Sequence, residues 1–348
     1  MEGKTPLELV REMAGGFSLT QILYSAVKLG IPDQLAKGPK QDLELARDIN
    51  AHPKALSRFL RMMVVVNLLV QEEDPSFFRL SPLGELLRSD HPDRMYNRIL
   101  YIGEVNYPAA QGMIHSIKTS EPAFEHVFGT SFFDYFGQNP EIGSIFNEQM
   151  SRAINDRIRG ILAAYNFEDK INVVDVGGGN GALIDAILKE NPHAIGTIFD
   201  LPLVVAEASR AASLNKDENR RQTIAGDFFH DEIPSGGDIY VLSNIIHDWD
   251  DERALQILRN CCAAMGKNSK LLLIEEILPE NVLDAPVTVA NDLSMLLLTG
   301  GRERTLAEYR DLLNDAGIVL TKLIPFEATR IYSKRKPNWA IIEGKLIP

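Results

Sequence analysis

Val173-Val174-Asp175-Val176-Gly177-Gly178-Gly179-Asn180-Gly181 is the stretch that decides how the rest of the chain is read. Its apolar, β-branched opening predicts a short strand over Ile171–Val176, and the residues after the glycines predict a helix over Ala182–Glu190. Glycines between strand and helix let the backbone turn sharply and let a ligand approach without Cβ interference. The pattern has more than one chemical reading. Gly177, Gly179 and Ala182 also satisfy the dinucleotide pattern G-x-G-x-x-G/A, and a plain structural turn is a third option. Charge favours one of them. A dinucleotide brings an anionic pyrophosphate to this turn, yet Asp175 stands two residues before the first glycine and the loop holds no Lys or Arg. A cationic ligand carrying an ammonium and a sulfonium is the better electrostatic match.

Downstream, short apolar runs alternate with helical patterns. Strands are predicted at Thr197–Asp200, Gln222–Ala225, Asp238–Leu242 and Leu271–Glu275, and helices at Leu203–Ala212 and Asp251–Met265. The tail adds a helix, Leu306–Ala316, and two strands, Ile318–Pro325 and Asn338–Glu343. This rhythm implies βαβ units and an α/β fold, a Rossmann-like doubly wound parallel sheet covered on both faces. Candidate ligand residues then fall on one edge. Asp200 ends the second strand, followed by Leu201; a carboxylate there accepts from both hydroxyls of a ribose. Gly226-Asp227-Phe228 follows the third, and an acid beside an aromatic ring suits an adenine, accepting from its amine while the ring stacks. Acids at the carboxyl ends of three successive strands lie where open α/β sheets bind ligands.

The fourth strand runs into Ser243-Asn244-Ile245-Ile246-His247-Asp248-Trp249. His247 lies just past the strand end on the same edge, where a neutral imidazole can take a proton from a hydroxyl. Glu275, ending the fifth strand, and Glu303, in Gly300-Gly301-Arg302-Glu303-Arg304-Thr305, are candidate partners that would fix its tautomer. No metal is expected, because no second His or Cys stands at ligand spacing.

The first hundred residues predict short helices: Pro6–Leu29, Asp42–Asn50 and, after His52-Pro53, Lys54–Val70. A strand-like piece at Phe77–Leu80 follows, and Ser81-Pro82 opens another helix. Helix, turn, helix and wing make a winged-helix pattern. The second helix is almost wholly apolar in its later half, which suits burial or dimerisation better than reading base edges. Residues 101–165 are predicted helical, with aromatics at Phe124, Phe128, Phe132, Phe133, Tyr135, Phe136 and Phe146 that read equally as core or as a substrate wall. Three regions result: 1–100, 101–165 and 166–348.

The net charge of −12 argues against a nucleic-acid or anionic-membrane partner. Adjacent Cys261 and Cys262 fit a reducing compartment, and the start shows no secretory pattern, so a cytoplasmic protein is expected.

Together DVGGGNG, FDLP, GDFF, NIIHDWDD, EEILP and GGRERT resemble the small-molecule O-methyltransferase family that includes plant caffeic acid and flavonoid enzymes and bacterial enzymes of pigment and antibiotic pathways. The resemblance covers nearly the whole chain. It implies a class I methyltransferase domain behind an N-terminal, helical winged-helix dimerisation domain, and an intertwined homodimer acting on a small hydroxylated substrate. It implies S-adenosylmethionine held by Asp175, Gly177, Gly179, Asp200, Leu201, Gly226, Asp227, Phe228 and Ser243, with His247 as general base flanked by Glu275 and Glu303. Several plant members carry Lys at Ser243 and Asn near Thr299. Some relatives methylate carbon or nitrogen or catalyse pericyclic reactions. A ligand-sensing winged-helix regulator is the reading from another class; it would need a basic exposed face.

Overall fold

The computed structural model describes residues 4–93, 95–167, 171–206, 220–328 and 337–348. The chain divides into two compact units, Met1–Ala110 with Asn139–Gln149, and Gln111–Gln138 with Met150–Pro348.

The first unit opens with the helix Pro6–Lys28, started by a capping box in which Thr5 and Glu8 satisfy each other's backbone N–H groups. Leu7, Val10, Met13 and Phe17 recur along this helix at spacings of three and four, and all are exposed, Met13 by 71% and Phe17 by 60%. Its later turns carry Ala26 and Val27 into a core with Leu45, Leu60, Met63 and Phe78. Strands β1 (Lys40–Gln41), β2 (Leu69–Gln71) and β3 (Phe77–Leu80) form a small antiparallel sheet in the order β1-β3-β2. This corrects the sequence reading in one place. The helix predicted through Val70 spans only Pro53–Val65, because Asn67 turns left-handed at φ 62° and Leu69 enters β2. Valines lose rotamer freedom in a helix while Asn tolerates positive φ, so the run Val64-Val65-Val66-Asn67 is a natural stop.

The second unit is built on strands β4 (Asn172–Val176), β5 (Ile195–Asp200), β6 (Arg221–Ala225), β7 (Ile239–Ser243), β8 (Lys270–Glu276), β9 (Ile318–Pro325) and β10 (Trp339–Leu346). They form one sheet in the order β6-β5-β4-β7-β8-β10-β9. The first five are parallel, as the alternation predicts. β10 runs antiparallel to both β8 and β9, so the sheet is mixed. Ile161, Leu183, Ile184 and Ile187 cover one face; Ile257, Leu258, Tyr309 and Leu313 cover the other. Among the described residues no helix is long and apolar enough to cross a membrane. The helix expected over Leu203–Ala212 is present at 202–206, and the remainder lies outside the described residues.

β4 lies at the centre, with β5 on one side and β7 on the other. The connections that leave β4 for β5 and β7 for β8 therefore run in opposite directions, which opens a crevice at the carboxyl ends of β4 and β7. The candidate site sits there.

Candidate active site

The glycine loop is a left-handed structure. Gly177, Gly179 and Gly181 have φ of 74°, 58° and 82°, a region that side chains rarely enter. At Gly181 a Cβ would also meet Arg221 Nη2 at 2.2 Å and Ile198 at 2.3 Å. Arg221 grips the loop from β6, donating to the Asn180 carbonyl at 2.8 Å and pairing with Asp185. Asp200 braces it from β5: one carboxylate oxygen accepts from Gly179 N–H at 2.8 Å and the other from Leu201 N–H at 2.7 Å.

Asp175 is buried beneath this loop, its carboxylate 2.8 Å from where a Cβ on Gly178 would stand. Burial raises its pKa to about 7, and Asp200 adds to the rise. Oδ1 of Asp175 and Oγ of Ser243 are buried without a hydrogen-bond partner among the described residues. Unsatisfied buried polar atoms call for an explanation. An acidic, glycine-lined cradle with two open acceptors fits a cationic, hydroxylated ligand.

Asp227 stands just after β6, where a turn closes on its side chain. Its carboxylate accepts from Phe229 N–H at 2.9 Å and lies 2.8 Å from Nδ1 of His230. Phe228 packs edge-on against Phe229 and Trp249. Gly226 has no room for a side chain, since a Cβ would meet the Phe199 ring at 2.3 Å.

His247 sits in the short 3-10 turn Ile246–Asp248 after β7, with its side chain 12% exposed. Nδ1 lies 2.9 Å from Glu303 Oε1 and 4.0 Å from Glu275 Oε2. The two acids therefore have separate tasks. Glu303 holds the ring, while Glu275 Oε1 accepts from the N–H groups of Ile245 and Ile246, at 3.1 and 3.0 Å, and so fixes the turn. Burial alone would lower the His247 pKa; Glu303, Asp248 and Glu275 outweigh it and raise the value to about 10. Burial likewise raises Glu275 to about 7 and Asp248 to about 6.

Arg304 is 0% exposed and anchors the same turn. Its guanidinium donates to the carbonyls of Ile246 and Trp249 and to Asp251 Oδ1. Gly301 is equally confined, since a Cβ would strike the His247 carbonyl at 2.1 Å. The glycine loop and the base turn meet directly: a Cβ on Gly177 would lie 2.4 Å from the Ile245 side chain. Phe133 stacks on Trp249 at 5.8 Å, whereas Phe124 and Phe132 are buried among the other rings of their segment.

The sequence reading missed Arg157, Asn244 and Arg304. Arg157 carried a usable signal, because it shares the apolar stripe of Ile154, Ile158 and Ile161 on its helix. It is buried, lies 4.3 Å above the Trp339 ring and donates to Asn244 Oδ1. Ligand spacing along the chain was also the wrong test for a metal. His247, Glu275 and Glu303 come from three separate segments, yet their ligand atoms lie within 4.8 Å of one another, a spacing that could hold an ion.

Residues 111–319 match the O-methyltransferase domain family, and residues 11–90 match the O-methyltransferase dimerisation domain. The chain belongs to the O-methyltransferase family. Among curated relatives of this methyltransferase, phenazine O-methyltransferase PhzM of Lysobacter antibioticus is 39% identical over 325 residues, covering 93% of this chain and 94% of the relative. The 8-amino-8-demethylriboflavin N,N-dimethyltransferase of Streptomyces davaonensis is 31% identical, covering 92% and 90%. An O-methyltransferase from neocarzinostatin biosynthesis, solved in complex with S-adenosylmethionine and 2-hydroxy-5-methyl naphthoic acid, aligns with a TM-score of 0.83 at 31% identity, covering 94% and 96%.

The buried Asp175 gives a signed pH prediction. The stability of the ligand-free protein should fall as pH rises from about 4, the ordinary aspartate value, to about 7, because the unfolded chain has released a proton that the folded state keeps. Asp175→Asn removes that term, so the urea midpoint of the variant should gain on wild type across this window. Parallel midpoints at every pH would contradict the assignment.

Proposed function

We propose that this family member transfers the methyl group of S-adenosylmethionine to a hydroxyl of a small aromatic molecule, with His247 as the general base. The observation that carries the reading is the abutment of the glycine loop, at Gly177, on the turn that presents His247 bonded to Glu303. When bound, S-adenosylmethionine supplies an electrophilic methyl group on a sulfonium. Asp175 and Ser243 would offer open acceptors to its polar end, Asp200 and Leu201 would hold its ribose, and Gly226, Asp227 and Phe228 its base. The glycines at 177 and 179 keep side chains out of its path.

The base chemistry follows from the imidazole's surroundings. Glu303 retains the proton on Nδ1, which leaves Nε2 to accept a proton from the acceptor hydroxyl. Positioning the nucleophile contributes alongside proton removal. A base works only when unprotonated, so turnover should climb as pH rises through the His247 pKa, which the surrounding carboxylates have raised. Commitment of His247 Nδ1 to Glu303 Oε1 at 2.9 Å favours this role over metal ligation. Phe133 on Trp249 gives a planar acceptor an aromatic neighbour near the base. A nitrogen acceptor is the second reading, motivated by the N,N-dimethyltransferase relative; mass analysis of labelled products separates the two.

Three measurements test the proposal. Calorimetry should detect S-adenosylmethionine but not nicotinamide dinucleotides, and Asp200→Ala should weaken binding by about 1–3 kcal/mol, since the loop loses its brace and a ribose its acceptor. His247→Ala should leave cofactor affinity near wild type and reduce turnover about 10²–10⁴-fold, with a smaller loss for acidic phenols that arrive ionised. Wild-type turnover of a weakly acidic alcohol by this variant would remove His247 from the mechanism, and loss of activity on chelation would replace base catalysis with metal assistance.

We also propose a homodimer through the first unit, supported by the match at residues 11–90 and by the exposed stripe of Val10, Met13 and Phe17. Phe17→Asp with Met13→Asp should halve the mass seen by light scattering. A dimer of unchanged affinity would exclude this stripe from the interface.

A further inference from the structure

Arg157 and Asn244 stand between the helix Pro140–Ala164 and the base turn, and their hydrogen-bonding capacities are one-directional. A guanidinium only donates. Arg157 donates to Asn244 Oδ1, which settles the orientation of that amide: oxygen toward Arg157, nitrogen toward His247. Asn244 Nδ2 lies 3.3 Å from His247 Nε2. An amide nitrogen also only donates, so it is satisfied when Nε2 carries a lone pair and opposed when Nε2 carries a proton. The backbone is adapted to this placement. Asn244 holds φ at 56°, left-handed geometry that Asn tolerates better than most residues, and its N–H donates to the Ile274 carbonyl at 3.1 Å.

We propose that Arg157, acting through Asn244, is a positioning device that keeps the proton off Nε2 of His247 and holds it on Nδ1, toward Glu303. The device opposes the charges around the ring. Glu303, Glu275, Asp248 and, from the far side of β8, Glu276 all favour an imidazolium. Asp248 Oδ1, 3.7 Å from Nε2, brings negative charge to that side of the ring. Against these stand the Arg157 guanidinium and the N–H of Asn244. At 3.3 Å the Asn244 contact is long enough for an incoming hydroxyl to replace it, and that hydroxyl offers the same kind of donor to the same lone pair. Without the device the surrounding charges would favour the imidazolium still further, against the neutral ring that the reaction needs.

This inference rests on His247 being the base, and its test separates the two ideas. Asn244→Asp keeps the size, the left-handed tolerance and an acceptor for Arg157, but presents an acceptor where His247 now meets a donor. With labelled histidine, the ¹⁵N titration midpoint of His247 should rise by about one pH unit or more. Turnover at neutral pH should fall about tenfold and recover as pH is raised, while KM for S-adenosylmethionine stays put. Asn244→Gly, which suits the same backbone, should shift the midpoint in the same direction by less and serves if the Asp variant does not fold. An unmoved midpoint in a folded variant overturns the proposal. A raised midpoint with unchanged turnover upholds the device and instead removes His247 as the base.

Discussion

The turn that carries His247 depends on the buried guanidinium of Arg304. The guanidinium of Arg304 reaches back from the loop before the helix Leu306–Asp315 and ties the carbonyls of Ile246 and Trp249 to Asp251. Charged groups tolerate full burial only when their hydrogen bonds are met. Arg304 meets its own by gathering the turn that carries His247. Glu275 completes the arrangement from β8 by receiving the N–H groups at the start of that turn. The turn is thus pinned at both ends by ions of opposite sign, and the imidazole inherits its position from them.

Burial of so many ionisable groups in one place costs stability, and the structure distributes that cost. Asp175, Glu275 and Glu276 all have pKa values raised to about 7 by burial. Arg157 is pushed the other way, down to about 10, by the same loss of water. Groups held so far from their ordinary ionisation are a feature of sites rather than of scaffolds. In the Asp175 cradle a cationic ligand would supply the compensating charge that the protein itself does not place there.

The glycine loop, the acids that follow the strands and the alternation of strands with helices were legible because they are local. Left-handed turns demand glycine, and βαβ units write their period into the chain. His247 was legible for the same reason, since its distance from the strand end fixes its edge. What could not be read was the division of labour between Glu275 and Glu303, because it depends on which oxygen meets which backbone N–H. Arg304 stood unread beside Glu303, and Arg157 and Asn244 are separated by 87 positions. An arginine on an apolar stripe marks itself as buried, but its partner is a property of packing. The antiparallel run of β10 was likewise invisible, since strand direction is set by the connection and not by the strand.

The position of β10 has a consequence for how the chain is made. Trp339–Leu346 lies between β8 and β9 although it follows both in sequence. Until it emerges during synthesis, Leu271, Leu273 and Ile274 on β8 have no lateral partner on that side and β9 has nothing to join. The first unit draws on residues up to Gln149 and can fold as soon as they are available, in keeping with N-terminal regions folding first. The second waits on β10, so its sheet closes between β8 and β9 only once Trp339–Leu346 has been translated. A nascent chain stalled earlier would expose an open sheet edge of strongly apolar strands, the surface that chaperones exist to cover.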